Sequence, residues 1–195
     1  MGKRNKYGPW AVITGATAGI GRALTLQVAE SGVNIVAVAR RQPRLDELAH
    51  ELRSRFGVQV LSVQADLRDP AAIETITKAT EGLDIGLLIP NAGAEMSGSF
   101  VTSNGEDHVR LAQLNAVAPM QLAHYYGGHM AARGRGGIMF VSSLFGYQGV
   151  PFVAHYAATK AYILSLGEAL HVELKPHGVD VLVLSPGLTS TEMTA

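Results

Sequence analysis

The sequence predicts an α/β fold built on one parallel sheet with helices on both faces. Two observations predict it: short apolar segments alternate with longer helical ones, and a glycine-rich turn follows the first apolar segment. Parallel strands need crossover connections between them, which the helical segments supply, so we expect a doubly wound sheet. The length of 195 residues suits a single domain, 1–195.

Six segments are predicted as strands because they are short, rich in β-branched residues and bounded by turn residues. They are almost continuously apolar rather than alternating, which is typical of strands buried on both faces. The predicted strands lie at 10–14, 33–39, 58–63, 85–89, 137–142 and 179–184.

Five longer stretches between the strands are predicted as helices. Asp69 and Pro70 have the chemistry of a helix N-cap and first helical position. Glycine at a helix end favours the left-handed conformation, and Gly32, Gly57 and Gly178 lie where helices should end. The predicted helices cover 19–31, 43–56, 70–81, 106–132 and 155–176.

The composition excludes several classes of function. Hydrophobic residues make up 47% of the chain and charged residues 16%, which favours a large buried core. Sixteen basic and sixteen acidic residues cancel, so no net field attracts nucleic acid or an anionic membrane. With no cysteine there are no disulfides or thiolate metal sites, and the histidines lack zinc-site spacing, so we expect no metal. Neither a signal peptide nor a membrane span is evident, and we expect a cytoplasmic protein.

The first strand leads directly into the segment TGATAGIG at 14–21, which precedes a helix. Glycines at such a turn let backbone N–H groups and a helix N-terminus approach a pyrophosphate. The spacing is G-x-x-x-G-x-G, and no Gly-Lys-Ser/Thr closes a Walker A loop. A glycine-rich turn without a ligand is the alternative. The predicted cofactor contacts here are Gly15, Thr17, Gly19, Ile20 and Gly21.

The end of the second strand indicates which dinucleotide binds. An acidic residue there would hold the ribose 2′-hydroxyl of NAD, but Ala39 has no carboxylate. Arg40 carries a guanidinium suited to a phosphate, with Arg41 or Thr17 assisting. The sequence therefore favours NADP(H), the alternative being two solvated arginines.

Further contacts with the adenosine half are predicted after the third and fourth strands. Asp66 is placed to accept a hydrogen bond from the adenine amino group, or it starts the following helix. The turn after the fourth strand either packs against the adenosine ribose or is a simple turn. The residues concerned are Asp66, Leu67, Asn91, Ala92 and Gly93.

Ser143, Tyr156 and Lys160 are the candidate catalytic residues. The Tyr-x-x-x-Lys spacing places a phenol and an ammonium on one helix face, and the serine ends a strand thirteen residues before the tyrosine. Lowering a phenol pKa from about 10 to about 7 requires roughly 4 kcal/mol. A charge about 4–5 Å away supplies roughly 3–4 kcal/mol at an effective dielectric near 20. We also expect His155 to be exposed to solvent.

With TGATAGIG, PNAG, the helical Asn115, the Ser143…Tyr156-x-x-x-Lys160 set and SPG at 185–187 in this order, the chain resembles the short-chain dehydrogenase/reductase family. The resemblance runs from Trp10 to about Met193. KYGPWAVITGATAGIGRA and LDIGLL resemble the branch of hydroxysteroid dehydrogenases and long-chain 3-oxoacyl-CoA reductases.

The resemblance implies a Rossmann-type sheet of strand order 3-2-1-4-5-6, often with a seventh edge strand that is apparently missing here. It implies that Tyr156 is the general acid or base, that Lys160 lowers its pKa and binds the nicotinamide ribose, and that Ser143 orients the substrate oxygen. Asn115 would complete a proton relay through water. The implied nicotinamide contacts are Pro186, Gly187, Thr189 and Thr191.

The predicted function is NADP(H)-dependent interconversion of a carbonyl and a secondary alcohol, on a small and apolar substrate of steroid or acyl type. A catalytically weak nucleotide sensor or scaffold is the alternative, and a sugar epimerase on the same scaffold is a third reading. Family members commonly pair the helices at 106–132 and 155–176, so we expect a homodimer or homotetramer.

Two residues depart from the family pattern, and a third affects the predicted proton relay. Pro90 replaces the first asparagine of N-N-A-G, and Ala18 stands where some NADP enzymes have a basic residue. Because Pro119 has no N–H, the carbonyl of Asn115 loses its usual helical donor, and we expect a water molecule in a kink there.

Overall fold

In the computed structural model, which describes residues 6–187 and 189, the chain forms a six-stranded parallel sheet with helices on both faces. The strand order β3-β2-β1-β4-β5-β6 confirms the predicted order. The strands are β1 (Trp10–Thr14), β2 (Asn34–Ala39), β3 (Val60–Gln64), β4 (Ile85–Ile89), β5 (Gly136–Val141) and β6 (Val179–Leu184). The helices are α1 (Gly19–Glu30), α2 (Gln42–Phe56), α3 (Ala72–Ala79), α4 (Gly105–Ala112), α5 (Ala118–Arg133) and α6 (Ala154–Leu174).

The strands are apolar throughout because each face of the sheet has its own core. Val12 and Val36 are buried against a cluster that includes residues of α3, α5 and α6. Their neighbours Ile13 and Ile35 point the other way and are buried against α1 and α2. The two-residue alternation of strands thus divides one run of apolar residues between two cores.

The ends of several elements follow the predicted local chemistry. Gly32, Gly57 and Gly178 have φ angles of 82°, 67° and 70°, in the left-handed region predicted for them. The helix predicted at 70–81 is shorter than expected. The Asp69 carboxylate accepts a hydrogen bond of 2.9 Å from the Ala71 N–H, so the chain turns before α3 begins.

The long helix predicted at 106–132 contains a π-helical turn, Gln113–Val117, between α4 and α5. Here the Ala118 N–H donates to the Gln113 carbonyl, five residues earlier. Pro119 follows directly, so the wider turn accommodates the missing N–H without ending the helix. The expected kink is therefore a π-turn that contains Asn115, and the water molecule beside it stays a prediction.

The order of the strands reverses between β1 and β4, which is where an open parallel sheet forms its ligand crevice. The glycine turn after β1 and the Asn-Ala-Gly turn after β4 lie on either side of this point. Among residues 6–187 and 189, no strand pairs outside β6, and no helix is long and apolar enough to cross a membrane.

Candidate active site

The turn between β1 and α1 is close-packed around its glycines. Gly15 and Gly19 have φ angles of 64° and 51°, in the region that favours glycine. A Cβ atom added to Gly21 would collide with the Asn91 side chain and the Gly15 carbonyl. The sequence has glycine at these positions because the backbone leaves no room for a side chain at Gly21 and turns left-handed at the other two.

The N-terminus of α1 suits an anion. Its N-cap residue, Ala18, has an extended conformation and makes no side-chain hydrogen bond to the helix, whose first turn contains no acidic residue. The first N–H groups of a helix need acceptors, and a phosphate supplies them together with a charge that the helix dipole favours. The predicted contacts Thr17, which is buried, and Ile20, which is half-buried, flank this terminus.

The end of β2 presents the arginine predicted to select NADP(H). Ala39 is buried, whereas Arg40 is exposed. The Arg40 carbonyl accepts a hydrogen bond of 2.9 Å from Gln64 Nε2, which fixes the backbone there. Within the described part of the chain the Arg40 guanidinium has no hydrogen bond or ion pair. Arg41 is the N-cap residue of α2.

After β3, the carboxylate of Asp66 is held by a residue that the sequence reading overlooked. Arg68 Nε lies 3.0 and 3.1 Å from the two Asp66 oxygens, and this hydrogen bonding lowers the pKa of the Asp66 carboxyl. Asp66 Oδ1 also accepts from the Arg68 N–H at 3.1 Å, so Asp66 begins a turn after β3, and Asp69 closes the next turn before α3. Leu67 is buried in the core, and its contact with a cofactor stays a prediction.

The turn after β4 is fastened to the last residue of β1. Asn91 Nδ2 donates to the Thr14 carbonyl at 3.0 Å, and the Ala92 N–H donates to Thr14 Oγ1 at 2.9 Å. These bonds brace the turn with Pro90, rather than a second asparagine, in front of Asn91. The sequence reading missed Thr14, whose position as the only polar residue of β1 was the available signal.

Asn115 connects three parts of the site from its place in the π-turn. Its side chain, 1% exposed, accepts from the Ala94 N–H at 3.0 Å and donates to the Ala94 carbonyl at 2.9 Å. Nδ2 also donates to Thr159 Oγ1 at 3.2 Å, and that hydroxyl donates to the Tyr156 carbonyl at 2.7 Å. Asn115 thus positions the loop after β4 and the turn of α6 that carries the tyrosine.

Tyr156 has a pKa opposite to the one expected from sequence. The residue is 7% exposed, and burial raises the pKa of its phenol above the ordinary value. Hydrogen bonding by the Ser143 hydroxyl opposes this shift, and the negative charge of Glu95 adds to it. The net shift is upward, where the sequence predicted a lowered pKa, because burial outweighs the groups that favour the phenolate.

Lys160 is buried, with 6% of its surface exposed. Its Nζ donates to the Val141 carbonyl at 3.0 Å and lies 5.7 Å from the centroid of the Tyr156 ring. Burial lowers the pKa of Lys160 to about 8, so the amine is still mostly protonated at neutral pH. Ser142 Oγ donates to the Lys160 carbonyl at 2.8 Å and fixes this turn of α6 against the end of β5.

The loop after β6 lies against the residue that follows Ser143. The Leu144 N–H donates to the Pro186 carbonyl at 3.1 Å, and a Cβ atom on Gly187 would lie 3.2 Å from Leu144 Cδ1. Thr189 Oγ1 donates to the Gly187 carbonyl at 3.1 Å. Thr191 lies outside the described residues.

A small cavity lies at the start of α6, lined in part by Met96, Phe100, Phe152 and His155. His155 is half-buried, not exposed as expected, because its Nε2 donates to the His108 carbonyl at 2.8 Å and the two rings meet edge to face at 4.9 Å. Among the residues with described positions, no group of three or more His, Asp or Glu is placed to hold a metal.

The whole arrangement lies within a segment, residues 9–195, that matches the model of the short chain dehydrogenase family. The chain belongs to this family. The match confirms the family predicted from the motifs and, with it, the expected class of oxidoreductase.

Relatives come from both groups of the predicted branch of the short-chain dehydrogenases. A 7beta-hydroxysteroid dehydrogenase from Collinsella aerofaciens is 39% identical, over 98% of this chain and 73% of its own. A very-long-chain 3-oxoacyl-CoA reductase from Podospora anserina is 34% identical, over 98% of this chain and 58% of its own. A short-chain dehydrogenase from Sphingobium yanoikuyae, solved in complex with NADPH, superposes with a TM-score of 0.91 at 38% identity, covering 95% of this chain and 73% of that one.

Proposed function

We propose that this protein is an NADP(H)-dependent oxidoreductase that interconverts a carbonyl and a secondary alcohol. One observation carries the proposal: at the carboxyl edge of the sheet the buried ammonium of Lys160 lies over the ring of the buried Tyr156, whose phenol is hydrogen-bonded by the Ser143 hydroxyl. The uncapped, acid-free N-terminus of α1 and the exposed Arg40 supply the complementary binding chemistry for a phosphorylated dinucleotide. The NADPH complex of the Sphingobium relative supports the choice of cofactor.

When bound, the nicotinamide supplies the hydride. The side chains of the protein supply the proton and polarise the substrate. In reduction, Tyr156 Oη donates its proton to the carbonyl oxygen of the substrate, and Ser143 Oγ donates a second hydrogen bond to the same oxygen. Because the pKa of Tyr156 is raised, the phenol is protonated at neutral pH and ready to act as an acid.

Lys160 has two roles in the proposal. Its ammonium lies over the face of the Tyr156 ring, where positive charge stabilises the phenolate left after proton transfer. Its amine would also bind the ribose hydroxyl next to the nicotinamide. Asn115 holds the loop after β4 and helix α6 in place around this amine, because it bonds to Ala94 in the loop and to Thr159 in the helix.

The direct test is NADPH oxidation with bulky apolar ketones, including steroid ketones and 3-oxoacyl thioesters. We expect turnover of at least one of these classes, because relatives named for each are similar over 98% of this chain. NADPH binding without turnover of any ketone would contradict the proposal and favour the nucleotide sensor.

Replacing Arg40 with Gln is expected to weaken NADPH binding about tenfold to a hundredfold while leaving NADH binding unchanged, because only the former carries the 2′-phosphate. Binding is measured by quenching of protein fluorescence. The matched control is Arg55→Gln at the far end of α2, which breaks a surface ion pair with Glu51 and should alter neither affinity. If Arg40→Gln weakened the binding of NADPH and NADH equally, Arg40 would not be the ligand of the 2′-phosphate.

We further propose a homodimer or homotetramer in the cytoplasm. α6 leaves Tyr162 and Val172 exposed, so apolar surface is available there for a contact between subunits. The mass of the native protein in solution checks the assembly; a monomer at micromolar concentration would refute it.

A further inference from the structure

Thr159 is the one polar residue between Tyr156 and Lys160, and it is buried, with 4% of its surface exposed. Its Oγ1 donates to the Tyr156 carbonyl at 2.7 Å and accepts from Asn115 Nδ2 at 3.2 Å. A carbonyl only accepts and an amide nitrogen only donates, so the single hydroxyl proton must point to the carbonyl. Thr159 therefore joins the first turns of α6 to the π-turn that contains Asn115.

The Asn115 amide depends on this hydroxyl for its last hydrogen bond. Its Oδ1 accepts from the Ala94 N–H, and its Nδ2 donates both to the Ala94 carbonyl and to Thr159 Oγ1. Asn115 is 1% exposed, so water does not replace a lost partner readily. Without the hydroxyl, one buried N–H of Asn115 would be unpaired, and α6 would lose its side-chain tether to the π-turn.

The lysine end of the same turn is held by other bonds. Ser142 Oγ donates to the Lys160 carbonyl at 2.8 Å, and Lys160 Nζ donates to the Val141 carbonyl at 3.0 Å. Both partners belong to the end of β5 and the residue after it, not to the π-turn. Loss of the Thr159 hydroxyl should therefore displace the tyrosine end of the turn and leave Lys160 in place.

We infer that Thr159 is a positioning residue for proton transfer: its hydroxyl ties the backbone of Tyr156 to Asn115 and so holds the phenol where it meets the substrate oxygen. The inference rests on the proposed function and adds a residue to its mechanism. Thr159 acts through the backbone of Tyr156 and through the Asn115 amide. Misplacing a reacting group by about 1 Å costs up to a hundredfold in rate, so the tether affects turnover although every reacting group is retained.

The test compares four side chains at position 159, with the steroid ketone or 3-oxoacyl thioester that the wild type reduces fastest. Thr and Ser carry the hydroxyl, whereas Val and Ala lack it. We expect Thr159→Val to lower kcat about tenfold and to leave the dissociation constant for NADPH unchanged, because Lys160 keeps its own bonds. Thr159→Ser should keep kcat within about twofold of the wild type, and Thr159→Ala should fall about tenfold below Thr159→Ser. The Ser and Ala pair gives the same comparison if Thr159→Val does not fold.

A double-mutant cycle measures whether the effect passes through Asn115. In Asn115→Ala the amide that binds the hydroxyl is absent, so there is no tether left to break. Thr159→Val should then lower kcat by less than about twofold in the Asn115→Ala protein, against about tenfold in the wild type. Equal factors in the two backgrounds would show that Thr159 acts only within its own helix, and would overturn the inference.

The matched control is Thr80→Val. Thr80 is also buried, and its hydroxyl bonds to the Ile76 carbonyl at 3.0 Å and to the Tyr126 hydroxyl at 2.6 Å, away from the site. Thr80→Val should lower the midpoint of urea unfolding, as Thr159→Val does, but leave kcat unchanged. If the wild type reduces no ketone, both proposals fail. If it does, and kcat does not depend on the hydroxyl at position 159, only the role of Thr159 is overturned.

Discussion

Replacing Tyr156 with Phe is expected to lower kcat for ketone reduction by about a thousandfold or more, while the affinity for NADPH stays unchanged. The phenol is the proton donor to the substrate oxygen, and general acid catalysis contributes about a hundredfold to ten-thousandfold. The ring itself is retained, so its edge-to-face contact with Phe145, at 6.2 Å between centroids, is kept. Steady-state kinetics and a cofactor titration on the same preparation measure both quantities.

Tyr126→Phe is the matched control for this substitution. Tyr126 is also buried, and burial raises its pKa to about 12, but its hydroxyl bonds to Thr80 Oγ1 at 2.6 Å, away from the site. Removing that hydroxyl should cost about 1 kcal/mol of stability and leave kcat unchanged. Near wild-type turnover by Tyr156→Phe would overturn the assigned proton donor.

The strands were predictable because burial on both faces leaves a signal that no loop or amphipathic helix shares. Ala11, Val12 and Ile13 must all be apolar when successive residues face different cores. The ends of helices were less predictable, since they depend on which backbone groups find partners. Asp69 is a residue type that N-caps favour. Its carboxylate nevertheless closes a turn before α3, and the helix begins at Ala72.

The members of the candidate site were predictable as residue types, but their contacts were not. Chain order indicates that Asn115 and Tyr156 belong to one site, whereas the bonds from Asn115 to Ala94 and Thr159 depend on how the π-turn packs. The predicted direction of the Tyr156 pKa shift was wrong for a similar reason. Coulomb attraction follows from sequence spacing along a helix, but the degree of burial depends on every element packed around it.

Replacing Lys160 with Met is expected to abolish ketone reduction and, at neutral pH, to stabilise the fold. Burial lowers the pKa of the amine to about 8 from an ordinary value of 10.5, so the unfolded chain binds this proton more tightly than the folded one. Below pH 8 both states carry the charge, and burying the charged amine destabilises the folded state by about 3 kcal/mol. Met removes that cost but leaves the Val141 carbonyl without its donor, which costs about 1 kcal/mol. The expected net gain is about 2 kcal/mol.

The stability difference between Lys160→Met and the wild type changes with pH in a direction that follows from the two pKa values of Lys160. Between pH 8 and 10.5 the folded wild type loses its proton before the unfolded chain does, so its stability rises towards that of Lys160→Met. Urea unfolding across this range should therefore show the gap between the two proteins closing as the pH increases. Lys78→Met, which removes an exposed amine paired with Glu74, should show no such closing gap. If Lys160→Met is less stable than the wild type at neutral pH, the ammonium is compensated by the fold, and the low pKa assigned to it is wrong.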